Sequence, residues 1–142
     1  RHNVPPKQAK NTDELPLLLL VEDSPTTTAL LSKYFGGNYR LLHASDGVEA
    51  WEMLTRYPEI ALVIPDINMP NMNGFEFLKA AKADPALKHI PILMVTAEAR
   101  KEDIVLAAQS GAAGYVVKPF TANTLKEKMD KIFERIATVA QG

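Results

Sequence analysis

Short apolar runs alternate with amphipathic stretches along this chain, and four of the runs end in a carboxylate, a hydroxyl or an ammonium. Residues 17–21 lead into Glu22 and Asp23, residues 60–64 lead through Pro65 into Asp66, residues 92–95 end at Thr96, and residues 115–117 end at Lys118. Runs this short and this rich in Val, Ile and Leu suit strands covered on both faces of a parallel sheet. Parallel strands place their carboxyl ends along one edge, where open α/β sheets hold ligands. Glu22, Asp23, Asp66, Thr96 and Lys118 are therefore expected to meet in one crevice.

The intervening stretches read as helices. Ser24 before Pro25 is an N-cap with proline at the first helical position, opening a helix that ends at about Phe35 before Gly36 and Gly37. A strand follows over 39–43. Ser45 or Asp46 caps a helix carrying Trp51, Leu54 and Tyr57, closed by Pro58. After the third strand, at 60–65, residues 68–74 are dense in turn formers. Phe75, Leu78 and Ala81 then mark a helix to about Ala83. A strand over 91–96, a short helix over 102–109 with Gly111 just beyond it, and a strand over 114–117 come next. Leu125, Met129, Ile132, Phe133 and Ile136 form the stripe of a last helix. The pattern predicts an α/β fold of five βα units with right-handed crossovers. Residues 1–15, polar and with two prolines, read as a tail or linker, 16–138 as the domain and 139–142 as a short tail, with no room for a second domain.

Composition narrows the chemistry. The chain has 142 residues, 46% of them hydrophobic and 23% charged, ordinary values for a single globular domain with a real core. A net charge of −1 with dispersed Lys and Arg gives no nucleic-acid face. The absence of cysteine rules out disulfides and thiolate metal sites. No run is long enough to cross a bilayer and no signal peptide precedes the first strand, so a cytoplasmic location is expected. The chain starts at Arg1 rather than Met, as a processed or excised piece would.

Within the expected crevice, Asp66 is the candidate phosphoryl acceptor. A carboxylate that attacks a phosphoryl group must approach another anion, so the site needs a divalent cation and a fixed ammonium. Mg²⁺ takes oxygen ligands and keeps several waters. Glu22 and Asp23 can supply carboxylates, Lys118 the counter-charge, and Thr96 a hydroxyl for a phosphoryl oxygen. Each residue alone has a plainer explanation. Asp66 alone is a turn or cap residue, Thr96 an N-cap, Lys118 a solvated lysine, and Glu22–Asp23 a favourable charge before a helix. Their coincidence at one sheet edge favours a shared site. His2, His43 and His89 have no metal-ligand spacing, Trp51 fits a core stripe, and the glycine pairs do not follow strands as phosphate-binding loops do.

The stretches LLLLVEDS, DINMPNMNGFEFL, PILMVTAEA and GAAGYVVKPFTANTL resemble those of response-regulator receiver domains, the CheY-like members in particular. The likeness runs from about Leu17 to Ile136. It implies a flavodoxin-like, doubly wound five-stranded parallel sheet of order 2-1-3-4-5. It further implies that Asp66 is phosphorylated by a sensor histidine kinase or a histidine phosphotransfer protein. Asp23, Asp66 and the backbone carbonyl of Asn68 would bind Mg²⁺, with Glu22 assisting through water. Lys118 would contact the phosphoryl group, Thr96 would move toward it, and Tyr115 would change rotamer in response. The Lys118–Pro119 peptide is expected to be cis. The output would be a protein target, or a second copy of the chain, on the face formed by the helix over 102–109, the strand over 114–117 and the last helix.

Pro65 departs from the pattern, because proline donates no ladder hydrogen bond and is rare in a central strand. Glu22, where an Asp is common, keeps the charge and lengthens the reach. Two rival readings remain. One is a degenerate receiver acting as a phosphorylation-independent interaction module, for which Pro65 is the only mark. The other is a phosphohydrolase of the haloacid-dehalogenase type. It needs a second acid two residues after the nucleophile, where this chain has Asn68. A flavin binder is disfavoured because Glu22 and Asp23 would repel its phosphate. The chain is thus expected to be a switch, catalysing only its own phosphorylation and dephosphorylation.

Overall fold

Every residue of β1 (Leu17–Val21) is buried, as an unbroken apolar run requires of a strand covered on both faces. The computed structural model describes residues 15–69, 71–97 and 100–141; residues 1–14 of the expected tail, including His2, lie outside them. Strands and helices alternate as α1 (Pro25–Phe35), β2 (Arg40–Ala44), α2 (Gly47–Arg56), β3 (Leu62–Pro65), α3 (Gly74–Ala83), β4 (Leu93–Thr96), α4 (Lys101–Gln109), β5 (Gly114–Val117) and α5 (Ala122–Gln141).

The two-residue alternation of the strands divides the core into two layers. Leu17, Leu19 and Val21 join Val63, Ile92 and Met94 in one cluster, capped by Ala50 and Leu54 of α2, Phe77, Leu78 and Ala81 of α3, and Ala107 of α4. Leu18 and Leu20 face the other way, with Leu62, Ile64, Leu93, Val95 and Val116, under Leu31 and Phe35 of α1 and Leu125, Met129 and Ile132 of α5. Helices thus cover both faces, the α/β arrangement that the alternation predicts. Trp51 packs edge-on against Phe77, with ring centroids 6.1 Å apart.

Local signals set the helix ends. Ser24 accepts a hydrogen bond from the Thr27 N–H, with Pro25 at the first helical position. Asp46, not Ser45, caps α2 by accepting from the Glu49 N–H at 2.8 Å. Gly111, just past α4, takes φ +97°, a conformation that favours glycine. Two ends differ from expectation. Leu15 is buried and its carbonyl accepts from Arg40 Nε at 3.0 Å, so the fold begins within the expected tail. The last helix continues to Gln141, through the residues expected to trail it; its apolar stripe stops sooner than its backbone.

The expected single ladder of five strands is instead two ladders. One has the order β2-β1-β3 and the other pairs β4 with β5, all parallel. β4 still lies beside β3, joined by isolated bridges Val63↔Ile92 and Asp66↔Val95. Pro65 accounts for the interruption. The Val63 N–H donates to the Pro91 carbonyl at 3.0 Å, and the Ile67 N–H donates to the Val95 carbonyl at 2.7 Å. Parallel pairing advances by two residues per bond, so the donor between them is residue 65, directed at the Leu93 carbonyl. Proline has no N–H to give. The missing bond falls at the seam between the ladders, one residue before Asp66.

Candidate functional site at the carboxyl edge of the strands

Strand register gathers the expected residues. Val21 pairs with Pro65 and Thr96 with Val117, while Asp66 bridges to Val95. The residue that follows each strand end therefore emerges at one level of the sheet edge. Glu22 and Asp66 leave the three-stranded ladder, and Thr96 and Lys118 belong to the two-stranded one.

Lys118 joins the two halves. Its Nζ lies 2.6 Å from Asp66 Oδ2 and 3.2 Å from Glu22 Oε1. Glu22 is only 6% exposed and Asp66 16%, so a buried and a half-buried carboxylate share one ammonium. Burial disfavours the charged Lys118, but hydrogen bonding and attraction to Asp66, then to Glu22, outweigh it and hold the pKa above the ordinary lysine value. The Lys118 backbone N–H donates to the Thr96 carbonyl at 2.7 Å, and Thr96 itself is buried. The Lys118–Pro119 peptide is cis.

The acids are held from behind as well. Glu22 Oε2 accepts from the Ser24 N–H at 3.2 Å, and the Glu22 carbonyl is hydrogen-bonded to His43 Nε2. Asp66 Oδ1 accepts from the Asn68 N–H at 2.9 Å. Gly74 lets the following loop fold tightly. A Cβ there would lie 2.8 Å from the Asp66 carbonyl oxygen and 2.8 Å from Ile67 Cα, too close to remain. Its N–H donates to the Ile67 carbonyl at 2.9 Å.

The remaining expected residues make no bond to Lys118. Asp23 is exposed and is not among the carboxylates paired with Lys118. Tyr115, on β5, is half-buried beneath Lys128 Nζ, 5.4 Å from its ring centroid. His89 is exposed; His43 is exposed too, yet it touches the site through the Glu22 backbone. That contact joins residues 21 apart, and no local spacing announces it. Among the described residues no three His, Cys, Asp or Glu side chains converge as a ready metal cage. The donor set on the edge is nevertheless all oxygen, the chemistry a hard divalent cation takes, and Mg²⁺ retains enough water to need few protein ligands. Beside Glu22 and Lys118 opens a cleft of about 460 Å³, lined by Ser24, Thr27, Leu30, Leu31 and Phe120 among others.

The family model of the response regulator receiver domain matches residues 18–130. The chain is 47% identical over 121 residues to chemotaxis protein CheY-3 of Vibrio cholerae, covering 84% of this chain and 92% of that one. It is 46% identical over 121 residues to chemotaxis protein CheY of Pseudomonas aeruginosa, covering 84% and 97%. Among solved structures, the chemotaxis response regulator CheY4 of Vibrio cholerae superposes with a TM-score of 0.77 at 34% identity, covering 83% of this chain and 98% of the other.

Proposed function

The chain belongs to the response regulator receiver domain family, and from that premise we propose that Asp66 is the carboxylate that receives the phosphoryl group in two-component signalling. The observation that supports this most is the 2.6 Å contact between Lys118 Nζ and Asp66 Oδ2. It places a cation beside the strand-end carboxylate that leads into the turn-rich loop.

In this reading an Asp66 oxygen attacks the phosphorus of a phosphohistidine on a sensor kinase or phosphotransfer protein. The O–P bond forms as the P–N bond breaks, and the released imidazole takes up a proton. Lys118 offsets the charge that gathers as the two anions approach. Thr96, its backbone tied to Lys118, supplies a hydroxyl to the transferred group. Asp23, Asp66, the Asn68 carbonyl and, by way of water, Glu22 would hold Mg²⁺, which would add further positive charge. The cleft beside Glu22 and Lys118 gives the donor side chain a route. Outward, Thr96 and Lys118 begin the segments that lead to α4 and α5, so their movement biases the face of α4, β5 and α5. Val105 and Leu106 on α4 are exposed there and offer apolar contact to a downstream target or a second copy of the chain.

Intact-mass measurement after incubation with acetyl phosphate and Mg²⁺ tests the assignment. Wild type is expected to gain one phosphoryl mass that is lost over time, and Asp66→Asn to gain none. Equal labelling of the variant would remove Asp66 from the role.

A further inference from the structure

The loop after Asp66 is fastened to a helix far from it in sequence. Asn71 Nδ2 donates to Asp46 Oδ2 at 2.8 Å, while the other oxygen of Asp46 caps α2 through the Glu49 N–H. Asn71 reaches this position with φ +70°, a strained conformation that asparagine tolerates better than most residues. The next residue, Met72, lies against Gly47, where an added Cβ would meet the Met72 carbonyl and lie 2.7 Å from Met72 Cβ. The far end of the loop is closed by the Gly74 N–H on the Ile67 carbonyl. The loop is thus tied down at Ile67, Asn71 and Gly74, and Asn68, whose N–H holds Asp66 Oδ1, lies between the first two.

We propose that Asp46 and Asn71 are positioning residues for the phosphoacceptor loop, the side-chain pair tying its described residues 71–73 to the start of α2 so that Asn68 is presented to Asp66 and to a divalent cation. This rests on the reading of Asp66 given above. The clamp touches neither the phosphoryl group nor the cation. It acts by removing alternative loop conformations before the cation arrives, so a first ligand need not order the loop. Asp46 couples two tasks through its two oxygens, helix capping and loop anchoring. Substitutions at it can therefore be chosen to remove one task and keep the other.

The test uses the whole chain and four proteins: wild type, Asn71→Ala, Asp46→Ser and the exchanged pair Asp46→Asn with Asn71→Asp. Serine keeps the cap on α2 and loses the clamp. The exchanged pair keeps the cap and the charge, and rebuilds the clamp with donor and acceptor reversed. Amide exchange at Asn68 without metal, and the Mg²⁺ concentration for half-saturation by calorimetry, are the readouts. Asn71→Ala and Asp46→Ser are expected to exchange about 5-fold faster at Asn68 and to need about 5-fold more Mg²⁺, the size of one ordinary solvent-exposed hydrogen bond. The exchanged pair should return both values to within about twofold of wild type. Unchanged exchange and Mg²⁺ demand in both single variants, or an exchanged pair no better than Asn71→Ala, would overturn the proposal. Acetyl phosphate labelling of wild type separates the two levels: without labelling the reading of Asp66 fails, while metal-free exchange still decides the clamp.

Discussion

An ammonium 2.6 Å from one carboxylate and 3.2 Å from a second defines the site at the scale of single residues. Removing it leaves Glu22 and Asp66 facing each other with little water. Lys118→Met is expected to destabilise the metal-free protein by about 1–2 kcal/mol at neutral pH, well below the loss for a fully buried pair because Lys118 is partly solvated. The pH dependence has a definite sign. Because the folded pKa of Lys118 is raised, its contribution is complete below the ordinary lysine value and is lost as pH climbs through the folded one. Urea unfolding of both proteins should therefore show a gap that is constant through neutral pH and narrows only in strongly alkaline solution. A gap that closed between neutral pH and mild alkalinity would contradict the assignment. Comparison with the variant is needed because burial also raises the Tyr39 pKa, and Asp130 raises that of Lys126, so both titrate in the same sense. The participants in this cluster were legible in sequence because strand ends in a parallel sheet must converge. Asp46 with Asn71 and His43 with Glu22 were not, since those pairs span 25 and 21 residues and depend on how loops fold back.

At the scale of elements, one proline decides how the sheet is joined. The sequence makes Pro65 conspicuous, but only the register of β3 against β4 reveals that its missing N–H would have faced the Leu93 carbonyl. Pro65→Val should restore that donor. The new amide at residue 65 is expected to be strongly protected from hydrogen exchange, at the level of its strand neighbours. Exchange at the rate of a solvent-exposed amide would mean that the seam has another cause. The helices differ in how firmly they are held. α3 has a reciprocal capping box between Asn73 and Glu76 and buries Gly74, Phe77, Leu78 and Ala81. α4 has no side-chain cap bond and buries only Ala107. The sequence located both, α3 from Phe75, Leu78 and Ala81 and α4 as a short helix over 102–109 ahead of Gly111, but the sparse packing of α4 shows only in the fold. The end of α5 was misplaced for a related reason: an apolar stripe marks where a helix packs, not where its backbone stops.

Across the whole molecule, the seam and the site coincide. β2, β1 and β3 carry Glu22 and Asp66, β4 and β5 carry Thr96 and Lys118, and side-chain bonds from Lys118 span the line where a backbone bond is missing. Under the proposed function, a phosphoryl group on Asp66 that drew Thr96 and Lys118 toward it would act across this line, with the sparsely packed α4 on the side of β4 and β5. A ligand shifts such an equilibrium only by its differential affinity for the two arrangements. Beryllofluoride with Mg²⁺, an acyl-phosphate mimic, is therefore expected to change amide exchange across α4, β5 and α5 and to leave β1 unchanged. Changes confined to α1 would break the proposed route.

The central claim is the identity of the acceptor, and borohydride trapping addresses it most directly. The protein is phosphorylated with acetyl phosphate and Mg²⁺, reduced so that an aspartyl phosphate becomes homoserine, and digested for peptide sequencing by mass. The account predicts homoserine at position 66 alone, dependent on Mg²⁺. Homoserine at position 23, a reduced glutamyl phosphate at position 22, or a phosphate on serine or threonine that survives reduction would contradict it.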